Sequence, residues 1–152
     1  LLLAIGDGRA LKKKIAATGI GEDALAEDLN GGITYSDCSV GEKYALQCKG
    51  RPDLIVWDDV LIAHMDVEST TSKGYSSYSY FVRITARNGE DKYLSAKDEE
   101  ELRGIFAQIT EKRPYLITEM NSVIRELKKK NLAELIRLVE QRRGEYESGE
   151  AH

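Results

Sequence analysis

The chain has 152 residues, 41% of them hydrophobic and 32% charged, with a net charge of −4 and a pI near 5.3. That length and balance describe one folded domain whose interior needs no metal or disulfide staple, and they exclude a disordered chain. The acidic balance argues against a nucleic-acid surface, which declares itself by basic charge.

The chain opens on Leu1-Leu2-Leu3-Ala4-Ile5 rather than on methionine. This run reads as the trailing edge of a hydrophobic anchor or signal segment, although it falls far short of the ~18–20 residues that cross a bilayer. The expected location is therefore cytoplasmic, with tethering to a membrane through sequence upstream of Leu1 as a variant. Gly6 and Gly8 lack the third glycine and the preceding strand of a dinucleotide site. Leu11 with Ile15, and Leu25 with Leu29, share helical faces on either side of Gly19 and Gly21, so two short helices are expected before Asn30-Gly31-Gly32.

From Ile33 the hydrophobic period changes to two. Ile33–Tyr35 and Tyr44–Leu46 read as an antiparallel pair about a Gly41-Glu42 turn, which sets Cys38 opposite a residue near Ala45 and leaves Cys38 and Cys48 offset and unpaired. A strand is expected over Leu54–Trp57, a corner at Asp58-Asp59 and a longer strand over Val60–Glu68. In that strand Leu61, Ala63, Met65 and Val67 take a covered face, and His64, Asp66 and Glu68 a wet one. Ser69 to Ser77 reads as a polar loop.

Tyr78 to Arg87 alternates as a half-buried strand, and Asn88-Gly89 turns it back. A two-residue loop sets Arg87 opposite Glu90 and Ile84 opposite Tyr93. The helix expected over Lys97–Lys112 opens with Ser95 and Asp98 at capping-box spacing. It carries Asp98, Glu99, Glu100 and Glu101 at its positive end, and its stripe is Leu102, Ile105, Phe106 and Ile109. Beyond Pro114, Thr118 or Ser122 and then Asn131 with Glu134 are cap candidates, so one bent helix and two helices both fit; Gly149 to His152 should fray. The chain thus divides into a helical segment 1–32, a sheet with its closing helix 33–114, and a helical extension 115–152. About six strands are read.

No residue set carries visible chemistry. Asp58, Asp59, His64 and Asp66 come nearest to a metal or acid–base site, because His64 and Asp66 point the same way from a strand, but solvated strand charge is the simpler reading. No serine sits in a Gly-x-Ser-x-Gly elbow and neither cysteine adjoins an activating residue. No catalytic residue, metal or cofactor is assigned. Tyr75 and Phe81 are candidates for a recognition surface, since aromatic rings give contact area at low entropic cost. So are the apolar positions of the C-terminal helices, Ile124, Leu127, Leu132, Leu135, Ile136 and Val139, which serve intramolecular packing or a partner. Lys12–Lys14, Lys128–Lys130, Arg142 and Arg143 are solvated helix faces, or contacts worth about 1 kcal/mol each beside an anionic membrane.

Leu54-Ile55-Val56-Trp57-Asp58-Asp59-Val60-Leu61-Ile62, followed by the long strand, Asn-Gly turn, short strand and capped helix, resembles bacterial domains of unknown function with a pleckstrin-homology-like fold. The resemblance covers about residues 33–114. It implies an α+β fold in which a strongly bent antiparallel sheet, or partly open barrel, is closed by a helix. Only Lys43, Lys49 and Arg51 stand near the first hairpin, where such domains carry a phosphoinositide signature, so the resemblance implies a binding scaffold without naming its ligand.

The leading expectation is a non-catalytic interaction or scaffold domain that binds a protein partner or itself through the C-terminal helices or an open sheet edge. The alternatives are a membrane-peripheral module contacting anionic lipid, and a small metal-dependent enzyme using His64, Asp66 and Asp59. Nucleic acid is not an expected partner.

Overall fold

The computed structural model describes residues 9–149; the Leu1–Ile5 run, the Gly6–Gly8 pair and the end of the tail at His152 lie outside the described residues. Within them the architecture is α+β, with five helices and two antiparallel sheets that do not close into a barrel. The sheet expected to bend as one unit is therefore two.

Helices α1 (Arg9–Thr18) and α2 (Glu22–Asn30) bury the anticipated pairs Leu11 with Ile15 and Leu25 with Leu29. The first sheet runs β1 (Ile33–Thr34), β2 (Cys38–Val40), β3 (Tyr44–Gln47) and β4 (Asp53–Val56), each strand beside the next. β2 is the strand that the count of six lacks. It separates β1 from β3, so these are not the antiparallel pair expected, and it places Cys38 opposite Gln47, with Val40 opposite Ala45. Three residues are too few to show a period, and Ser39, the polar one, is itself buried. Both cysteines are free.

Alternation on this sheet serves two cores. Leu46 and Leu54 point outward and pack with the four leucine and isoleucine side chains of α1 and α2. Val40, Ala45 and Ile55 point inward to the main core, shared with Trp57, Ala63, Val82, Ile84 and Leu94. Asp28 ties α2 to the β2–β3 turn by accepting from the backbone N–H groups of Lys43 (3.0 Å) and Tyr44 (3.0 Å).

After a 3-10 turn at Trp57–Asp59, the second sheet runs β5 (Val60–Ser72), β6 (Tyr75–Ala86) and β7 (Asp91–Ala96). The β6–β7 loop holds three residues, because Ala86 N–H donates to Glu90 O, Gly89 N–H donates back to Ala86 O, and Gly89 takes φ 84°. Ile84 accordingly pairs with Lys92 and Arg83 with Tyr93, one residue out of the expected register. A turn that closes with a left-handed glycine suits Asn-Gly as well as the two-residue turn does. Helix α3 (Glu99–Lys112) is capped by Asp98, whose carboxylate accepts from the Glu101 N–H at 2.8 Å. Ser95, three residues upstream, belongs instead to β7, where its N–H donates to Gln47 Oε1 at 3.0 Å.

Residues Tyr115, Leu116 and Ile117 return through the core, and Ile117 adds a single parallel bridge to β5 at Ile62. The extension is two helices, α4 (Ser122–Lys130) and α5 (Leu132–Glu147). Asn121 caps the first; Asn131 both closes it and caps the second. They lie at the base of the second sheet, held by Lys128–Asp91 (2.6 Å), Arg87–Glu140 (2.6 Å) and Arg143–Asp58 (2.9 Å).

Candidate interaction surface

β5 and β6 are 13 and 12 residues long, whereas β7 has six and ends opposite Tyr80. Half of the hairpin therefore extends beyond the body as a two-stranded arm, turned at Lys73 (φ 51°) and Gly74 (φ 81°) with Ser72 opposite Tyr75. Every residue from Val67 to Ser79 is exposed. The polar loop expected over Ser69–Ser77 is this ribbon. Its threonines and tyrosines are strand formers, and Lys73-Gly74 supplies the two positive φ angles of a tight hairpin turn.

One face of the arm prolongs the core. Ala63, Val82 and Ile84 are buried; farther out on the same face Met65 is 42% exposed, Val67 49% and Tyr78 60%. Met65 and Val67 thus take the expected face, but nothing among the described residues covers it. The opposite face is polar and organised about Arg83. Its guanidinium bonds Asp66 (3.1 Å) and Glu68 and lies 4.6 Å from the Phe81 ring centroid. Phe81 in turn meets Tyr93 edge to face, centroids 5.5 Å apart.

Backbone pairing identifies which groups of the arm are open. Ala63 N–H donates to Ile117 O and Leu61 O accepts from Ile117 N–H, so odd-numbered residues of β5 face away from β6. Continuing that alternation, Met65, Val67, Ser69 and Thr71 turn their N–H and C=O groups outward, and none has a backbone partner among the described residues. Between Ser69 and Tyr80 the one charged side chain is Lys73. This edge has neither the bulge nor the run of charges that ordinarily blunts an exposed strand.

The edge of β4 is treated differently. Trp57 N–H donates to Lys43 O, which leaves Leu54 facing outward. Leu54 N–H is taken by Asp53 Oδ1 at 2.9 Å and Leu54 O by Lys92 Nζ at 2.8 Å. Side chains thus take up the outward groups of Leu54, whereas the N–H of Val56, the other outward-facing residue of β4, has no backbone partner among the described residues. A cleft of about 320 Å³ lies between β4 and the β6–β7 turn, walled by Leu54, Val56, Ile84 and Ala86. Two of its rim cations, Arg87 and Lys92, are already spent on Glu140 and Asp53.

The residues singled out from sequence fall in three groups. Tyr75 is 81% exposed at the arm's tip, and Phe81, on the same face, is half-buried against Tyr93 and Arg83. Leu135 and Val139 lie in the main core; Ile124, Leu127, Leu132 and Ile136 pack against it while partly exposed. The C-terminal stripe is thus largely occupied by its own domain. His64 and Asp66 do share a face, but Asp66 is held by Arg83, and burial lowers the pKa of His64 despite the backbone of Met65 and the Asp66 carboxylate. Among the described residues no three His, Cys, Asp or Glu side chains are grouped to hold a metal ion.

Met65, Val67 and Tyr78 escape sequence reading because the same alternation serves a covered strand and a bare one. The usable signal is the mismatch in strand length: β7 must end where α3 begins, so a long β6 overhangs it. Among the described residues no helix is long and apolar enough to cross a membrane. Comparison with known proteins finds no matching family model, no similar curated protein and no similar solved structure.

Proposed function

We propose that the chain is a non-catalytic interaction module, a pleckstrin-homology-like scaffold that takes an extended strand from a protein partner or a second copy on the open edge of β5. The scaffold reading is supported by strands arranged four and three, followed by α3 over the core, since a pleckstrin-homology-like fold implies seven strands and a closing helix. The observation that carries the interaction reading is the contrast between two edges, the short β4 one capped at Leu54 by Asp53 and Lys92 and the long β5 one left open along the arm from Met65 to Thr71. Backbone pairing to such an edge supplies affinity, and neighbouring side-chain positions supply selectivity.

The test uses a displayed library of extended peptides selected on the full chain. Ser69→Pro removes one outward N–H and leaves the β5–β6 ladder intact, since Thr70 and Glu68 make that pairing. Selected peptides should bind the parent chain and lose at least about tenfold in affinity, or 1.4 kcal/mol, on Ser69→Pro. A library that yields no binder sensitive to this change overturns the reading.

A membrane-peripheral role is a second reading, motivated by α4. Arg125 and Lys129 stand one turn apart there, exposed and without an ion pair among the described residues. It requires salt-sensitive sedimentation with anionic vesicles, and an absence of binding at low salt removes it.

A further inference from the structure

We infer that the occupant of the open edge is a second copy of this chain, paired antiparallel through β5 about a two-fold axis at Ser69. The inference rests on the interaction reading above and names its partner. The free edge begins at Met65, immediately beyond the residues bonded to Ile117, and ends at the Lys73-Gly74 turn. Its midpoint is Ser69, an outward-facing and uncharged residue. Pairing centred there uses the whole free length: Met65 meets the partner's turn, Val67 meets the partner's Thr71, and Ser69 meets the partner's Ser69. The tip of each arm then stops where the partner's Ile117 bridge begins.

Charge selects this register over its neighbours. A centre at Val67 sets Asp66 against the partner's Glu68, and a centre at Glu68 sets that residue against itself; like charges directly opposed disfavour both. A centre at Thr70 pushes Met65 and Asp66 past the partner's turn and strands them unpaired. With Ser69 at the centre, Glu68 faces the partner's Thr70 and Asp66 the partner's Ser72. The partner's Lys73, the cation of the tip, arrives beside Met65 and Asp66. On the other face, each Val67 packs across the seam against the partner's Thr71, with Tyr78 behind Ser69 on the neighbouring strand, so the apolar face that the body leaves bare runs on across both copies. The contact is isologous, so it closes at two copies. An interface confined to two arms belongs to the small class below about 1,200 Å², for which micromolar association is expected.

The experiment is sedimentation equilibrium of the full chain from about 1 µM to several hundred µM, joined to cysteine pairing in a Cys48→Ser background. Opposed residues of a hydrogen-bonded antiparallel pair lie about 5.5 Å apart at Cα, within reach of a disulfide. Ser69→Cys should therefore oxidise to a covalent dimer. Val67→Cys and Thr71→Cys should cross-link when mixed but not singly, because like positions then stand about 13 Å apart along the strand. Ser69→Pro should shift the monomer–dimer midpoint at least tenfold upward while its melting temperature is kept. A chain that stays monomeric throughout, with no Ser69→Cys cross-link, overturns self-pairing. If edge-dependent peptides are still selected from the library, the interaction reading survives with a foreign strand as occupant; if none is, both fall. A dimer indifferent to Ser69→Pro and to the cysteine pattern also overturns the inference, by assigning association to another surface. So does a monomer that sediments with anionic vesicles only when the arm is intact.

Discussion

The Arg113 guanidinium lies 4.5 Å from the centroid of the Trp57 ring and is 4% exposed. Its nitrogens donate to backbone carbonyls rather than to a carboxylate: Ile109 O at the end of α3, and Gly41 O and Glu42 O in the β2–β3 turn. Burial lowers its pKa, with the coulombic effect of Tyr115 the largest opposing influence. Trp57 Nε1 finds no hydrogen-bond partner among the described residues, so the ring is held by packing and by this cation. Arg113→Ala should cost about 2–4 kcal/mol, combining lost charge-assisted hydrogen bonds, the stacked cation and a cavity. Arg113→Lys should recover only part of it, because a single ammonium cannot span helix end and turn. Urea unfolding of the variants measures both.

Burial pushes the Cys38 thiol up to about 12, with the neighbouring Cys48, Glu101 and Asp37 adding to the shift. The unfolded chain loses this proton first on going alkaline, starting near the ordinary value of about 8.5. Stability from the neutral thiol is therefore complete below that value and is lost as pH rises toward 12, at up to about 1.4 kcal/mol per pH unit. Denaturant midpoints between pH 7 and 10.5 should decline for the parent chain and decline less for Cys38→Ala.

Much of this fold is legible in the sequence, and the exceptions share a cause. Leu11, Ile15, Leu25, Leu29, Leu102, Ile105 and Ile109 are spaced for one face of a helix, and all are buried. Asn131 and Glu134 mark the start of a helix because local hydrogen bonding chooses that site. Register is another matter: Asn88-Gly89 satisfies two loop lengths, and only packing of Leu94 into the core selects between them. Cys38–Val40 is a strand because both neighbours pair with it, a long-range reason invisible in three residues. The candidate surface was harder still. Tyr75 could be named from its chemistry, but the bareness of Met65 and Val67 depends on where β7 ends.

Two glycines test close approach rather than backbone freedom. A Cβ at Gly32 would come within 2.0 Å of Val40 O, a backbone atom between paired strands. Gly32→Ala should therefore destabilise by several kcal/mol or prevent folding. Gly104, inside α3, has nothing within 4 Å of the same addition. Gly104→Ala should stabilise by about 0.5–1 kcal/mol through helix propensity. Thermal melts of the two variants should move in opposite directions.

Asn131 serves two helices. Its side chain accepts from the Glu134 N–H at 3.3 Å, and its own N–H closes α4 on Leu127 O at 2.8 Å. Asn131→Ala keeps the second bond and removes the first, at a cost of about 1 kcal/mol. Asn131→Pro removes the backbone donor as well and should cost more. Hydrogen exchange at Glu134 and at the last turn of α4 separates the two effects, since only the proline variant should speed exchange in both places.

The treatment of Leu54 has a consequence for assembly size. A molecule with one long adhesive strand can join one other and stop; a molecule with two can add units indefinitely at both sides. Asp53 and Lys92, by occupying the N–H and C=O of Leu54, close part of one such border, and the β6 side of the arm beyond Tyr80, where Ser76 and Tyr78 face away from β5, is a second but shorter one. Replacing both would lengthen the adhesive border on β4, on the other sheet from the arm, and favour arrays longer than a pair.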